Sequence, residues 1–565
     1  MKFFVQRSFP TPAGLKNGLA TKPARILALA IASLGAQNGA MALDLDLGNP
    51  DVKLAWDNTI KYNTAFRVEG QSKKLTSNPN LDDGDRNFDK GLISNRIDLL
   101  SQIDLSYKKD YGVRVSGAAW YDDVYNQGND NDSPETNNNY SKRHDQFVTK
   151  TRDLHGRDAE FLDYFAYGRW SPFDMATTVR FGSHALLYGE SLFFGNNGIA
   201  GGQSPVDVVK LLSVPNSQFQ EIVRPVNQIS TQIQLRDNLA IGAYYQFKWD
   251  ETRIPGSGSY FSSADVFEGG ERLLFGPVDP ATRIGPALFR GKDITAKDSG
   301  QFGGQVRWRP EGSDLEFGFY ATRYHDKTPQ VYLSPGENLD PTIGKVGEYR
   351  LVYPEDIKAY GMSVSTQVGE ASVAAEFSVR RDTPLVSDPQ TVAPGSNADN
   401  DNHPAYAVGN SAHAQVSSIY ILNPNRFWSS ATALGEIAWN RRTSITKNPD
   451  AVAANSSRDA WAMRGVFEPA WYQVAPGLDL SAPVGIGFST HGNSSVVGSF
   501  NPGGKKGGDL NFGIAGLYEQ TYKFGANYTH FFGDKGNALN DANQLSFDQS
   551  FADRDFISMY VQRSF

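Results

Sequence analysis

Eight histidines are spread through the 565-residue chain: His144, His155, His184, His325, His403, His413, His491 and His530. No H-E-x-x-H pair and no G-x-S-x-G elbow occurs, and Ser191 after Gly189-Glu190 lacks the second glycine of such an elbow. There is no phosphate-binding or dinucleotide glycine loop. Cysteine is absent, which removes thiolate metal sites and Cys nucleophiles. Serine triads are defined by geometry rather than spacing, so an embedded hydrolase stays open as an alternative, with His413 as its best base. A solvated wall histidine is the simpler reading. Asp82, Asp83, Asp85, Asn87 and Asp89 lie close together, as do Asp130 with Asp132 and Asp399 with Asp401. Hard oxygens at alternating positions suit calcium. Phe88, however, stands where an EF-hand loop needs its glycine, which favours solvated external loops or weak divalent bridging to lipopolysaccharide. The sequence therefore predicts no enzyme, no cofactor and no dedicated metal site.

The elements that carry these residues alternate with period two. Trp56, Ile60, Tyr62, Phe66 and Val68 fall on one face, opposite Asp57, Thr59, Lys61, Asn63 and Arg67. Ile93, Ile97, Leu99, Ile103, Leu105 and Tyr107 repeat the pattern opposite Ser94, Arg96, Asp98, Gln102 and Asp104. Leu239, Ile241, Ala243, Tyr245, Phe247 and Trp249 do so opposite Gln246, Lys248 and Asp250. A strand with one apolar and one wet side is the result. The segments run to about 10–14 residues, longer than soluble strands and long enough to cross a bilayer at a tilt. The wet faces carry too many polar groups for a dry core. Apolar faces then meet lipid, and polar faces meet a water-filled interior. Here Gln102 and Gln246 both face water.

Connection lengths agree. Short ones near 108–110, 171–175, 237–238, 310–313, 369–371, 423–429, 473–478 and 520 alternate with long ones near 69–91, 123–159, 185–227, 251–299, 325–356, 382–410, 442–457, 491–507 and 533–552. Transmembrane barrels alternate in this way, with short periplasmic turns and long outer loops. The expected fold is all-β: a transmembrane antiparallel up-and-down barrel of about 18 strands (16–18) spanning 43–565. Both termini are then periplasmic. Ile557, Met559, Val561 and the terminal Phe565 share one face, which resembles the signal read by the barrel-assembly machinery, with Arg563 where an aromatic is usual.

Residues 1–42 read as an export signal. Lys2, Arg7, Lys16, Lys22 and Arg25 precede the apolar stretch 26–35, and Ala40-Met41-Ala42 forms a cleavage pattern. No apolar run reaches the roughly 18 residues of a spanning helix. A formal charge of -8 argues against a nucleic-acid partner, and 12% aromatic residues argue against disorder. The expected location is the outer membrane of a Gram-negative cell, among its lipid and lipopolysaccharide.

Inside the barrel, Arg96, Arg114, Arg180, Arg236, Arg307 and Arg464 fall on wet faces among Asp98, Asp104, Glu316 and Glu376. Arg–carboxylate bracing and solute selection both explain this. Tyr244, Tyr320 and Tyr560 also point inward. The segment 185–227 is too apolar to stand in water: Leu186, Leu187, Tyr188, Leu192, Phe193, Phe194 and Ile199 would form an exposed patch. Ser204-Pro205 reads as a cap and first helical position, with Val206, Val209 and Leu212 on one face. The segment is expected to fold inward as a plug or constriction, an external lid being the alternative. The expected pore residues are Arg180, His184, Tyr188, Glu190, Phe193, Arg224, Arg96, Arg114 and Tyr244.

From Arg180-Phe181-Gly182 through Tyr188-Gly189-Glu190-Ser191, Ser204-Pro205-Val206-Asp207, Arg224-Pro225-Val226 and Tyr244-Tyr245-Gln246-Phe247-Lys248-Trp249 to Gly258-Ser259-Tyr260-Phe261-Ser262, the chain resembles a proteobacterial family named domain of unknown function 1302. His184 and Tyr188 replace a Gln and a Trp of that pattern, as in a divergent member. The resemblance implies an outer-membrane protein that works with a periplasmic lipid-binding-like protein and an inner-membrane exporter of the resistance-nodulation-division type. It also implies transport of hydrophobic or amphipathic compounds. The reading is a channel for passive passage of such solutes. A barrel that binds a partner through its loops is a further alternative.

Overall fold

The computed structural model describes residues 43–45, 47–501 and 503–565; the export signal expected at 1–42 lies outside them. Eighteen antiparallel strands form the barrel: β1 Val52–Arg67, β2 Gly91–Tyr107, β3 Tyr111–Asp122, β4 Arg157–Trp170, β5 Thr177–His184, β6 Val226–Arg236, β7 Leu239–Gln246, β8 Gln301–Trp308, β9 Glu316–Tyr324, β10 Ile357–Val368, β11 Ala371–Pro384, β12 Val408–Leu422, β13 Ser430–Lys447, β14 Asp459–Ala475, β15 Leu478–Ser481 with Val484–His491 (broken at Pro483), β16 Gly508–Tyr518, β17 Tyr522–Phe532 and β18 Phe556–Ser564. Each pairs with its neighbour in sequence, and β18 closes on β1, with Thr59 opposite Ser564 and Arg67 opposite Phe556. Closure leaves no unpaired barrel edge, the condition for strands in lipid. Phe565 completes the seam by exchanging backbone hydrogen bonds with Asn58 at 2.8 and 2.9 Å. Arg563 lies over the rings of Tyr522 and Phe565, at 5.4 and 5.5 Å from their centroids. No helix among the described residues is long and apolar enough to cross a membrane.

The two faces separate as the alternation requires. Trp56, Leu99, Ile103, Leu105, Tyr245, Phe377, Val416, Ile437, Met559 and Val561 are exposed on the outside. Their neighbours Lys61, Asn63, Arg96, Asp98, Gln246, Glu376, Gln415 and Glu436 are buried within. Only a membrane covers an apolar belt of this kind. Ile93 departs from the expected face. Ala65 pairs with Ser94 and Phe66 with Leu92, so Ile93 sits at a bulge and turns inward, 3% exposed, while Leu92 takes its place outside. Gln246 departs too. It lies on the inner face but is 1% exposed and donates to the Gln203 carbonyl at 2.8 Å, so it meets the infolded segment rather than water. Gln102 stays partly open beside Asp104. We expect Leu99→Arg to reduce assembly by placing a charge in lipid, at about 2–4 kcal/mol, and Gln102→Arg to assemble normally. Heat-modifiable mobility on gels checks this; equal yields from both variants would overturn the facing.

The long connections lie at one end of the barrel and interlock as a cap. Five short strands there make a second sheet: Arg272–Leu274, Ala287–Arg290, Gln330–Asp340, Lys345–Val352 and Gln390–Thr391. Phe88, Tyr125, Phe147, Tyr260, Phe261 and Phe556 form one of its apolar clusters. The acidic run of the first long loop is part of this packing. Asp83–Arg86 is a short helix whose Asp83 and Asp85 are buried, so the expectation of a solvated loop does not hold there, although it does for Asp130 and Asp132. Burial and the adjacent Asp83 push the Asp82 carboxyl up to about 8.

Candidate functional site

The connection between β5 and β6 runs inward and touches the wall on several sides. Its first turn meets β11 and β13 across the barrel. Glu376 accepts the N–H groups of Glu190 and Ile199 at 2.8 and 2.7 Å. Glu436 accepts three successive N–H groups, those of Leu192 (3.1 Å), Phe193 and Phe194 (3.0 Å), and the Ser191 hydroxyl at 2.9 Å. Successive amides converging on one carboxylate form an anion nest. Two glycines allow the approach. At Gly189, with φ +97°, a Cβ would stand 2.3 Å from Glu376 Oε2, and at Gly198 it would stand 2.6 Å from Oε1. Arg380 holds the carbonyls of Asn196 and Gly198 at 2.6 and 2.9 Å.

The start of the segment also packs on aromatic wall residues. Tyr188 lies 5.7 Å from the Tyr244 ring and 6.1 Å from the Tyr320 ring, in a buried cluster with Ile199 and Ile357. Farther on, helix α1 (Val208–Ser213) starts later than Ser204-Pro205 suggested. Asp207 is its cap, accepting from the Lys210 N–H at 2.8 Å, because Val206 is still extended and bridged to Val223. Asp207 also pairs with Arg253 at 2.7 Å, and Arg253 and Lys210 reach Glu160 at 2.6 and 3.2 Å. The final part meets the opposite seam: Lys61 donates to the Asn216 carbonyl at 3.1 Å and pairs with Glu221 at 3.5 Å, and Asn216 donates to Gln562 at 3.0 Å.

Between this segment and β2–β5, toward the short-turn end, lies a cavity of about 300 Å³. Arg114, Arg169, Arg180, Asp104, Asp163, Phe165, Tyr167, His184 and Phe219 line it. Arg114 and Arg180 both lie over the Phe165 ring, at 5.9 and 5.8 Å, and Arg169 lies over Tyr167 at 5.4 Å. Arg114 is answered by Asp104 at 2.6 Å; Arg180, exposed, forms no ion pair among the described residues. His184 is buried and held by Ser230 Oγ at 2.7 Å. Three guanidiniums against two carboxylates, with rings beneath them, suit a flat apolar body that carries a negative group.

The expected pore residues therefore divide. Arg114, Arg180 and His184 meet at the cavity. Tyr188 and Tyr244 meet in the ring stack. Glu190 and Phe193 anchor through their amides, and the Glu190 carboxylate lies 3.6 Å from Arg307. Arg224 turns away from the cavity to donate to the Glu251 carbonyl at 3.1 Å. Arg96 does not line a path. It is 2% exposed, bound to Asp98 at 2.7 Å and to the His155 carbonyl at 3.2 Å, with Trp120 under its guanidinium. Bracing likewise accounts for Arg307 with Glu316 and for Arg464 with Asp509 at 2.9 Å. His413 is bonded through Nε2 to Ser411 Oγ at 2.7 Å and through Nδ1 to Asn197 Oδ1 at 3.1 Å. The order of groups is that of a hydrolase triad, but each is 1% exposed, and the chain of bonds pins Asn197 of the infolded segment to the wall. Glu436 and Asn197 were not among the expected site residues. The only signal of Glu436 was a lone acid at an inward position between Leu434 and Ile437.

A closed eighteen-stranded transmembrane barrel with an infolded segment and a positively charged, ring-lined cavity defines the class. The chain belongs to the family described as Protein of unknown function (DUF1302), whose profile matches residues 24–565. Among solved structures it is similar to OccAB1 of Acinetobacter baumannii, with 12% identity and a TM-score of 0.41 over 93% of this chain and 98% of that one. It is also similar to OccD3 (OpdP) of Pseudomonas aeruginosa, with 10% identity and a TM-score of 0.39 over 93% of each chain. The outer membrane channel DcaP of Acinetobacter baumannii shows 9% identity and a TM-score of 0.37 over 93% of this chain and all of that one. No curated protein matches the sequence.

Proposed function

We propose that the protein is an outer-membrane channel for passive passage of small amphipathic solutes, with 185–227 as its constriction. The long-loop cap faces outward and the short turns face the periplasm. The observation that carries this reading is the arginine- and ring-lined cavity beneath the infolded segment. An anionic amphiphile puts its charge on Arg180 and its apolar part against Phe165 and Phe219. A periplasmic lipid-binding-like protein and an inner-membrane resistance-nodulation-division exporter are the partners that family resemblance supplies, and the cavity at the short-turn end is where solute passes between channel and periplasm. Purified protein in liposomes should admit aromatic or short-chain carboxylates faster than neutral sugars of equal size. Arg180→Glu should remove that preference while leaving the gel shift on boiling intact. A wild-type conductance as large and unselective as an open porin's would count against the proposal.

A further inference from the structure

The acidic cluster beneath the outer cap has more than its charge to mark it. Asp82, Asp83 and Asp265 are 2%, 2% and 0% exposed, and one carboxylate oxygen from each lies within 4.8 Å of the other two. Oxygens bound to one ion at about 2.4 Å span no more than that. Arg86 answers Asp82 at 2.5 Å, whereas Asp83 and Asp265 form no ion pair among the described residues. Asp83 receives only neutral donors, Thr136, Asn131 (3.3 Å) and Asn138 (2.9 Å). Asp265 Oδ2 receives the Asp83 N–H at 3.0 Å.

A second observation points to a ligand. Asp82 Oδ1 and Asp265 Oδ1 have no hydrogen-bond partner. Neither has Oδ1 of Asn137, 0% exposed, whose amide nitrogen lies 3.3 Å from the Asp265 carbonyl. Buried oxygens without donors are costly unless something positive faces them. The convergent groups are all oxygens, the donor set of a hard cation. Three carboxylates with the neutral amides of Asn131 and Asn138 around them suit the tolerant shell of calcium better than the strict, largely hydrated octahedron of magnesium. We propose that Asp82, Asp83 and Asp265 bind one divalent cation, calcium, that ties the outer loops 68–90, 123–156 and 247–300 together.

The test uses full-length barrel refolded without lipopolysaccharide, so that lipid-bound calcium is absent. After dialysis against micromolar free calcium, atomic emission should find one ion per folded chain. Asp83→Asn and Asp265→Asn should each weaken binding about tenfold or more, since ligand charge sets affinity in such sites. Asp132→Asn, at an exposed loop carboxylate, should not. Magnesium should compete poorly. A folded wild type that takes up no calcium overturns the proposal, as does uptake unchanged in both variants. Should those variants fail to assemble, the wild type still decides. Chelation must speed proteolysis within 68–90 and 247–300 but not within 385–407, and protection unaltered by chelator rejects the site.

Discussion

Glu376→Ala combined with Glu436→Ala is expected to give an assembled barrel with a single-channel conductance several-fold above wild type. The two carboxylates receive five backbone N–H groups and one hydroxyl from 190–199. Their removal leaves those groups unsatisfied at about 1–3 kcal/mol for each that stays buried. The segment then gains by releasing from β11 and β13 and hydrating its amides. The barrel strands keep their ladders, because Phe377 and Ile437 still face lipid and backbone pairing does not involve either side chain. Deletion of 190–215 should act in the same direction and further, since it also removes α1 and its Asp207–Arg253–Glu160 tie. An eighteen-stranded barrel without an infolded segment encloses an aqueous channel. Planar-bilayer recording of protein that still shifts on boiling is the measurement. Either variant, assembled and conducting as wild type does, would remove the constriction.

What the sequence carried was local. Alternation over ten or more residues sets the facing of Leu99 against Asp98, and the run of long and short connections sets the strand count without reference to any contact. Where the pattern slipped, a local irregularity was responsible: the bulge that turns Ile93 inward replaces one apolar residue by another, so composition does not show it. Partners distant in the chain were out of reach. Glu436 meets amides about 240 positions away, and nothing around either one requires the other. The same holds for Asp83 and Asp265, 182 positions apart. Read alone, 82–89 is a polar loop; its burial comes from the asparagines at 131–138 and from the serine-rich turn at 257–262. Arginine on an inward face gave no means of separating a brace from a solute contact. That depends on whether a carboxylate lies within reach, as for Arg96, or does not, as for Arg180.

Arg67→Met is expected to be among the most destabilising single substitutions in the cap. Arg67 ends β1, and its side chain is 0% exposed. Its guanidinium pairs with Asp85 at 2.6 Å and Asp553 at 3.3 Å, and donates to the carbonyls of Asp85, Phe88 and Asp553 at 3.1, 2.7 and 3.0–3.2 Å. One side chain thus joins the barrel wall to the first and last long loops. Taking it away leaves the buried Asp553 carboxylate without its cation and Asp85 with only Arg554, at 3.9 Å. The Asp553 carbonyl loses its donor, while the Asp85 and Phe88 carbonyls keep the Phe88 N–H and the Gln71 amide, each at 3.3 Å. Breaking a buried pair in this way costs about 3–5 kcal/mol. Arg67→Lys should recover only part of that, because a single ammonium cannot reproduce the planar fork. Arg143→Met removes a pair with Asp145 whose arginine is 68% exposed, and should cost less than about 1 kcal/mol. The temperature at which each folded band converts to the unfolded one on gels ranks the variants. If Arg67→Met converts no earlier than Arg143→Met, the cap is not held to β1 through this residue. The apolar cluster of Phe88, Tyr260 and Phe556 beside it would then carry the junction alone.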